Sequence, residues 1–386
     1  MITSMRLPAP IAWLVDEASI VRGADHLLAT LGAKLIADGV SLAGGALTLT
    51  AAHPIIARRT WLWRAETGAV IEALGFGVLD LGSTGSAGPG GGREKGEGEG
   101  REQGKVGREW LAGLGTGLVR EDVAGPTADG PASGGPVLAW ALSRPLAERE
   151  SALLNEAARF AAAPLAALSA RATQAALLDA YLGRRGAAQV LAGRSQREPG
   201  ETIRAVLLFA DLRGFTELSE SMAPPAVVAV LDAWFDRVAG AVHAFGGEVL
   251  KFIGDGVLAI FPIGERAPSV ACDAALSAVG SALAGMAYLN QARDRQGLPS
   301  LRFGLALHLG EMLWGNVGTA DRLDFTAIGP AVNLVSRLEG LCRPLGHSVL
   351  VTGAVAAETT RALVPLGDHA LRGIAAPCAV FTLPQG

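Results

Sequence analysis

Between Ile11 and Asp38 apolar side chains recur at three- and four-residue steps, through Leu14, Ala18, Val21, Leu27, Leu28 and Leu31. That is the period of a helix with one buried face. Alternation of apolar and polar positions replaces it at Leu47–Thr50 and Thr60–Trp63, which predicts two strands of a half-buried sheet. From Gly82 to Gly107 the chain turns into Gly, Glu, Arg, Lys and Ser without an apolar run. A segment of that composition cannot bury enough surface to order itself, so residues 83–107 read as a disordered insertion on a loop. Pro136–Leu142 predicts another strand and Leu146–Leu182 a long helix, with Pro164 as the place where it would be interrupted.

The second half is patterned more strongly. An apolar strand from Ala205 ends at Asp211, and a helix is predicted over Ala226–Phe245 from Val227, Val230, Leu231, Trp234, Phe235, Val238 and Val242. Lys251–Phe261 predicts a hairpin, Ala274–Leu289 a core-packing helix, and Leu301–His308 a strand running into Gly310–Gly318. Strand, helix, hairpin, helix, strand is the order of a ferredoxin-like α+β palm. The expected organisation is a smaller α/β sensor-like domain over 1–145, a helical connector over 146–200 and an α+β catalytic domain over 201–386.

Composition narrows the setting. The length of 386 residues suffices for two cores. A net charge of −4 gives no electrostatic case for nucleic acid or an anionic membrane surface. Three scattered cysteines, Cys272, Cys342 and Cys378, make neither a disulfide framework nor a zinc site, so buried thiols in a reducing cytoplasm are expected. Mean hydropathy is positive. Asp16 and Glu17 nevertheless interrupt any signal-type run, and the stretch after Asp273 is short for a span, so no membrane segment is expected.

Candidate chemistry centres on two aspartates, Asp211 and Asp255, each just outside an apolar strand, where a carboxylate needs a cation, a hydrogen-bond network or water. Brought together by a sheet they would form an oxygen-rich site for Mg²⁺ or Mn²⁺; taken singly, each also reads as a turn or cap aspartate. Asn333 and Arg337 follow the helix start Gly329-Pro330 at i and i+4, so they share a face. An amide and a guanidinium there suit a phosphorylated sugar, although a solvated helix face would carry the same residues. Trp61, Trp63 and His53 read either as a ligand pocket or as core aromatics beside a surface histidine.

Together these segments, from about Thr202 to Leu383, resemble the class III nucleotidyl cyclases. The resemblance implies that Asp211 and Asp255 hold two Mg²⁺ or Mn²⁺ ions, that Asn333 orients the ribose and that Arg337 stabilises charge at the α-phosphorus. Leu212, Gly214, Phe215 and Thr216 fall in a loop that feeds a helix N-terminus, where free amides meet phosphate oxygens. Lys251 and Thr326 match the family's purine-selecting pair. Lysine suits the unprotonated ring nitrogen of adenine, which favours ATP over GTP. The Lys/Thr combination is similar to the subgroup with bicarbonate-responsive members, leaving a bicarbonate or small-molecule regulator open. Where many relatives carry a basic residue for the terminal phosphate, only Arg372 is available. Family members are head-to-tail homodimers in which the aspartates of one chain face Lys251, Thr326, Asn333 and Arg337 of the other. An adenylate cyclase is thus expected, against a guanylate or mixed-specificity cyclase and a catalytically silent nucleotide-binding module. A diguanylate cyclase lacks support, since Gly246-Gly-Glu-Val249 does not supply its signature. The first half looks distantly like a GAF-type fold.

Overall fold

The computed structural model describes residues 7–50, 56–76, 105–124, 136–194, 200–319 and 321–384. The chain divides into two compact units, Met1–Tyr181 and Leu182–Gly386.

In the first unit the periodic run after Ile11 is two helices, α1 (Ala9–Asp16) and α2 (Ala24–Ala37), separated by a 3₁₀ turn at Ala18–Ile20. Strands β1 (Leu42–Thr50), β2 (Ile56–Arg64), β3 (Val70–Phe76), β4 (Leu118–Val123) and β5 (Val137–Leu142) form an antiparallel sheet in the order β3-β2-β1-β5-β4. Helix α3 (Lys105–Ala112) packs Leu111 on one face of the sheet. On the other, α2 sets Leu27, Leu28 and Leu31 against Leu47, Trp63 and Trp140. Trp63 is core: its ring lies 2.3 Å from where a Cβ on Gly32 would stand, so the small residue on α2 makes the room. His53 and residues 83–104 of the expected insertion lie outside the described residues.

Helix α4 (Glu148–Leu191) departs from the expected connector in two ways. Its first turns bury Leu153, Leu154, Ala157, Ala161 and Leu165 in the first unit's core, so this stretch is a wall of that unit rather than a free linker. The helix also runs through Pro164; the break falls at Gly183, with φ 70 and ψ 163, a conformation that strains any L-residue. On either side of it, Leu182 and Val190 pack into the second unit, and Arg185 pairs with Glu248 at 3.0 Å. The units therefore divide near 181, inside the segment expected as connector.

The second unit comprises β6 (Glu201–Leu212), α5 (Phe215–Ser221), α6 (Pro224–Ala244), β7 (Glu248–Ile253), β8 (Gly256–Pro262), α7 (Pro268–Arg295), β9 (Phe303–Gly318), β10 (Leu323–Ile328), α8 (Pro330–Gly340), β11 (Val349–Thr352), β12 (Val364–His369) and β13 (Cys378–Thr382). The sheet runs β12-β13-β11-β9-β6-β8-β7, and β10 pairs with β9. Its central order β9-β6-β8-β7, antiparallel throughout, is that of a ferredoxin-like palm. Strand β6 is apolar on both sides because both are covered. Val206, Leu208 and Ala210 meet Trp234 and Val238 of α6 and Leu276 and Val279 of α7, while Ala205 and Leu207 share a core with Val335 and Leu338 of α8. Helix α7 is long and apolar enough to cross a membrane by length and composition. Its apolar side, through Ala271, Ala275, Val279 and Met286, is spent on this core.

One half-buried group should make the second unit acid-sensitive. On β9, burial pushes His308 down to about 4 from its ordinary 6.5, and Nδ1 faces only the Thr352 hydroxyl, at 3.1 Å. A histidine depressed in the folded state contributes stability above its unfolded pKa and loses it as pH falls through the folded one. About 3 kcal/mol should therefore drain away between pH 6.5 and 4. Urea unfolding at several pH values should show a shallower decline for His308→Gln than for the wild type; parallel curves would refute this.

Candidate active site

Strand β6 outruns its neighbour β8. Pairing with β8 stops at Ala210–Val257, whereas pairing with β9 continues through Asp211–Gly304. Asp211 therefore stands at the end of the sheet beside the turn that joins β7 to β8. That turn has two residues, Gly254 and Asp255, between the paired Ile253 and Gly256. Gly254 takes φ 62, as the first position of a primed hairpin turn requires. The turn is pinned from below, because the indole Nε1 of the fully buried Trp234 donates to the Asp255 carbonyl at 2.9 Å.

The outcome is a carboxylate pair. Asp211 is pushed up to about 7, chiefly by burial, then by its hydrogen bond with Asp255 and by the charges of Asp255 and Glu339. Ionising Asp211 beside a second carboxylate in a half-buried place is costly without a cation. Such a donor set fits a hard divalent ion: Mg²⁺ is commonly held by one or two carboxylates, with water and substrate phosphates completing the shell. Among the described residues no group of three or more His, Cys, Asp or Glu forms a cage, which leaves those positions for phosphate and water oxygens.

Two further residues support the pair, and the sequence reading assigned neither a role. Arg213, two residues beyond Asp211, donates to the buried Glu339 on α8 at 2.9 Å. The ion pair passes over Gly304, the strand partner of Asp211, where a Cβ would come within 2.1 Å of Glu339 Oε1 and 2.2 Å of Arg213 Nη2. Glu339 is held above its ordinary range by burial, opposed by Arg213 and reinforced by Asp255. Between Asp211 and α5, Gly214 takes φ 71, and α5 begins at Phe215 with no side-chain cap. Leu212, Gly214, Phe215 and Thr216 thus form the loop and first turn next to Asp211.

Helix α8 turns two faces to two tasks. Pro330 opens it after Gly329. Ala331, Val335, Leu338 and Glu339 face inward, while Asn333 and Arg337 are exposed together on the other side. Neither makes a side-chain hydrogen bond or ion pair among the described residues, and both stand on the exposed side of α8, away from the buried Glu339 whose charge acts on Asp211. Lys251 lies on β7 and forms an ion pair with Asp324 of β10. Asp324 and Thr326 alternate onto the same face of β10, so an acid accompanies the expected Lys251/Thr326 pair. Arg372 is exposed beyond β12.

This arrangement has counterparts. Residues 199–373 match the model of the family described as the adenylate and guanylate cyclase catalytic domain, so the second unit carries a catalytic domain of that family. "Adenylate cyclase 1" of Rhizobium meliloti is 38% identical over 43% of this chain and 25% of its own length. "Adenylate cyclase" of Anabaena cylindrica is 35% identical over 40% of this chain and 30% of its own. The chain thus spans about a quarter to a third of the length of these relatives. The crystal structure of the adenylyl cyclase CyaB from P. aeruginosa is 26% identical, covering 49% of this chain and 97% of that one, with a TM-score of 0.45.

Proposed function

We propose that the protein is an adenylate cyclase that converts ATP to 3′,5′-cyclic AMP and pyrophosphate at a site shared by two copies of the chain. The observation that carries this reading is the half-buried Asp211–Asp255 pair at the strand ends of the palm. The named relatives are adenylate cyclases, and the extension to this whole chain rests on them. Three free cysteines, Cys272, Cys342 and Cys378, suit the cytoplasm.

Divalent ions, two Mg²⁺ or Mn²⁺ as the family resemblance implies, would neutralise the triphosphate and activate the ribose 3′-hydroxyl when bound. Asp211 and Asp255 would hold them, and the amides of the Gly214–Thr216 turn receive phosphate oxygens. Asn333 orients the ribose, and Arg337 meets the charge that grows on the α-phosphate as the 3′-oxygen bond forms and the bond to the leaving pyrophosphate breaks. Because Asn333 and Arg337 stand on the exposed side of α8 while Glu339 is buried beside Asp211, the partner chain supplies them. Incubation of the purified full-length protein with ATP or GTP and Mn²⁺ or Mg²⁺, with products identified by mass spectrometry, tests the reading. Neither cyclic nucleotide appearing would refute it.

The ion pair of Lys251 with Asp324 favours guanylate cyclase as the second reading, since a carboxylate beside the base can accept from the donors of guanine. The product assay separates the two, and Lys251→Glu tests whether Lys251 reads the base. An acceptor set against the adenine ring nitrogen costs about 1–3 kcal/mol, so kcat/KM for ATP relative to GTP should fall about tenfold or more. An unchanged ratio would mean that Lys251 does not touch the base.

A further inference from the structure

The first unit holds a pocket of about 470 Å³ that the chemistry above does not use. It opens where the inner face of the sheet runs out from beneath α2. Alternation puts Arg59, Trp61 and Trp63 of β2 on that face, opposite Leu49, Leu47 and Gly45 of β1 and Leu74, Glu72 and Val70 of β3. Trp63 and Leu47 are core. Further along, where α2 no longer covers it, the same face carries Arg59, four residues from Trp63, and Glu72, the strand partner of Trp61, both part-exposed.

The charges converge from three elements. Arg59 and Glu72 are 3.6 Å apart, a loose pair that leaves guanidinium donors free. Across the pocket, Arg171 of α4 reaches the carbonyls of Val21 and Ser19 at 3.3 and 3.4 Å, which fixes its position without saturating it. Arg22, before α2, adds a third cation, so the guanidinium groups outnumber the lining acids Asp25 and Glu72. The rest of the lining is apolar, with Trp61, Val70 and the buried Leu49 and Leu168. Arginine forks beside an indole and aliphatic walls complement a ligand with a planar anionic group at one end and an apolar body at the other.

We infer that this pocket binds a small aryl or alkyl carboxylate, and that its occupancy alters turnover through α4. Leu168 and Arg171 lie on the helix that continues in sequence into the catalytic unit, so an occupant braces that helix directly. The regulatory half of the inference rests on the cyclase reading; the binding half does not. Calorimetry on the full-length protein with phenylacetate, indole-3-acetate and octanoate should show saturable binding by at least one, with a Kd below about 1 mM. The amide analogue of the binding probe should bind about tenfold or more weakly, and Arg59→Gln and Arg171→Gln should each weaken the carboxylate about tenfold. Failure of all three probes, an amide as tight as its acid, or full affinity in both variants would overturn the site. Turnover of ATP at a probe concentration near the wild-type Kd should change in the wild type and far less in Arg171→Gln. Binding with unchanged turnover in an active enzyme would overturn the regulatory half. An enzyme with no cyclase activity at all would instead refute the reading of the second unit, leaving the calorimetry to stand.

Discussion

Asp211→Ala and Asp255→Ala should each lower cyclic AMP formation by about two orders of magnitude or more, the scale of groups that act on transition-state charge. Each removes one of the two anionic ligands, and neutral water is no substitute. The metal-free fold should respond in the opposite sense. A carboxyl raised to about 7 binds its proton more tightly folded than unfolded, so its contribution is full at low pH and fades as pH rises through about 7. Above that pH, Asp211→Asn should therefore match or exceed the wild type in thermal stability without metal. Mn²⁺ should raise the melting temperature of the wild type and not of the variants. Near-normal turnover in either folded alanine variant would end the metal-ligand assignment, and a variant that melted far earlier without metal would show that the pair is structural.

Asp211 and Asp255 stood out in the sequence because each interrupts or follows an apolar run, a local signal that needs no knowledge of distant contacts. Their mutual approach follows from the palm, in which the first strand lies beside the hairpin. The supports were out of reach for the opposite reason. Arg213 and Glu339 meet across 126 residues, and Glu339 reads on a helix as an ordinary surface acid until α8 is docked. Trp234 fits a helical apolar stripe, and its periodicity is silent about which carbonyl the indole finds. Asp324 is different. It sits two residues from Thr326, and alternation along β10 places both on one face, so spacing alone links this acid to the expected base pocket.

The same contrast holds for the fold. The ferredoxin-like order was visible as alternating periods, while β11, four residues long, and β13, five, are too short to carry one. Proline marked a break in α4 that does not occur, because Pro164 sits among buried residues whose packing outweighs one lost hydrogen bond. The real break at Gly183 falls directly after Leu182, where the predicted helix ends, because glycine alone takes that backbone without strain.

Mixing two inactive variants should restore activity if the catalytic site spans two chains. Asp211→Ala and Arg337→Ala homodimers should each be nearly silent, since every site lacks one essential group. The two faces of α8 explain why the mixture differs. Glu339 points inward to the aspartates of its own chain, and Asn333 and Arg337 point outward, away from them. In a mixed dimer one site combines the intact aspartates of the Arg337→Ala chain with the intact Asn333 and Arg337 of the other, while the second site carries both defects. Random pairing of equal amounts makes about half the dimers mixed, each with one working site of two, so roughly a quarter of wild-type turnover should return in a two-fold symmetric assembly. Co-expression with two different affinity tags and sequential purification isolates the mixed species, whose turnover should then approach half that of the wild type. Silence in a mixed dimer shown to contain both chains would mean that Asn333 and Arg337 serve the aspartates of their own chain, and α8 would have to swing to bring them there.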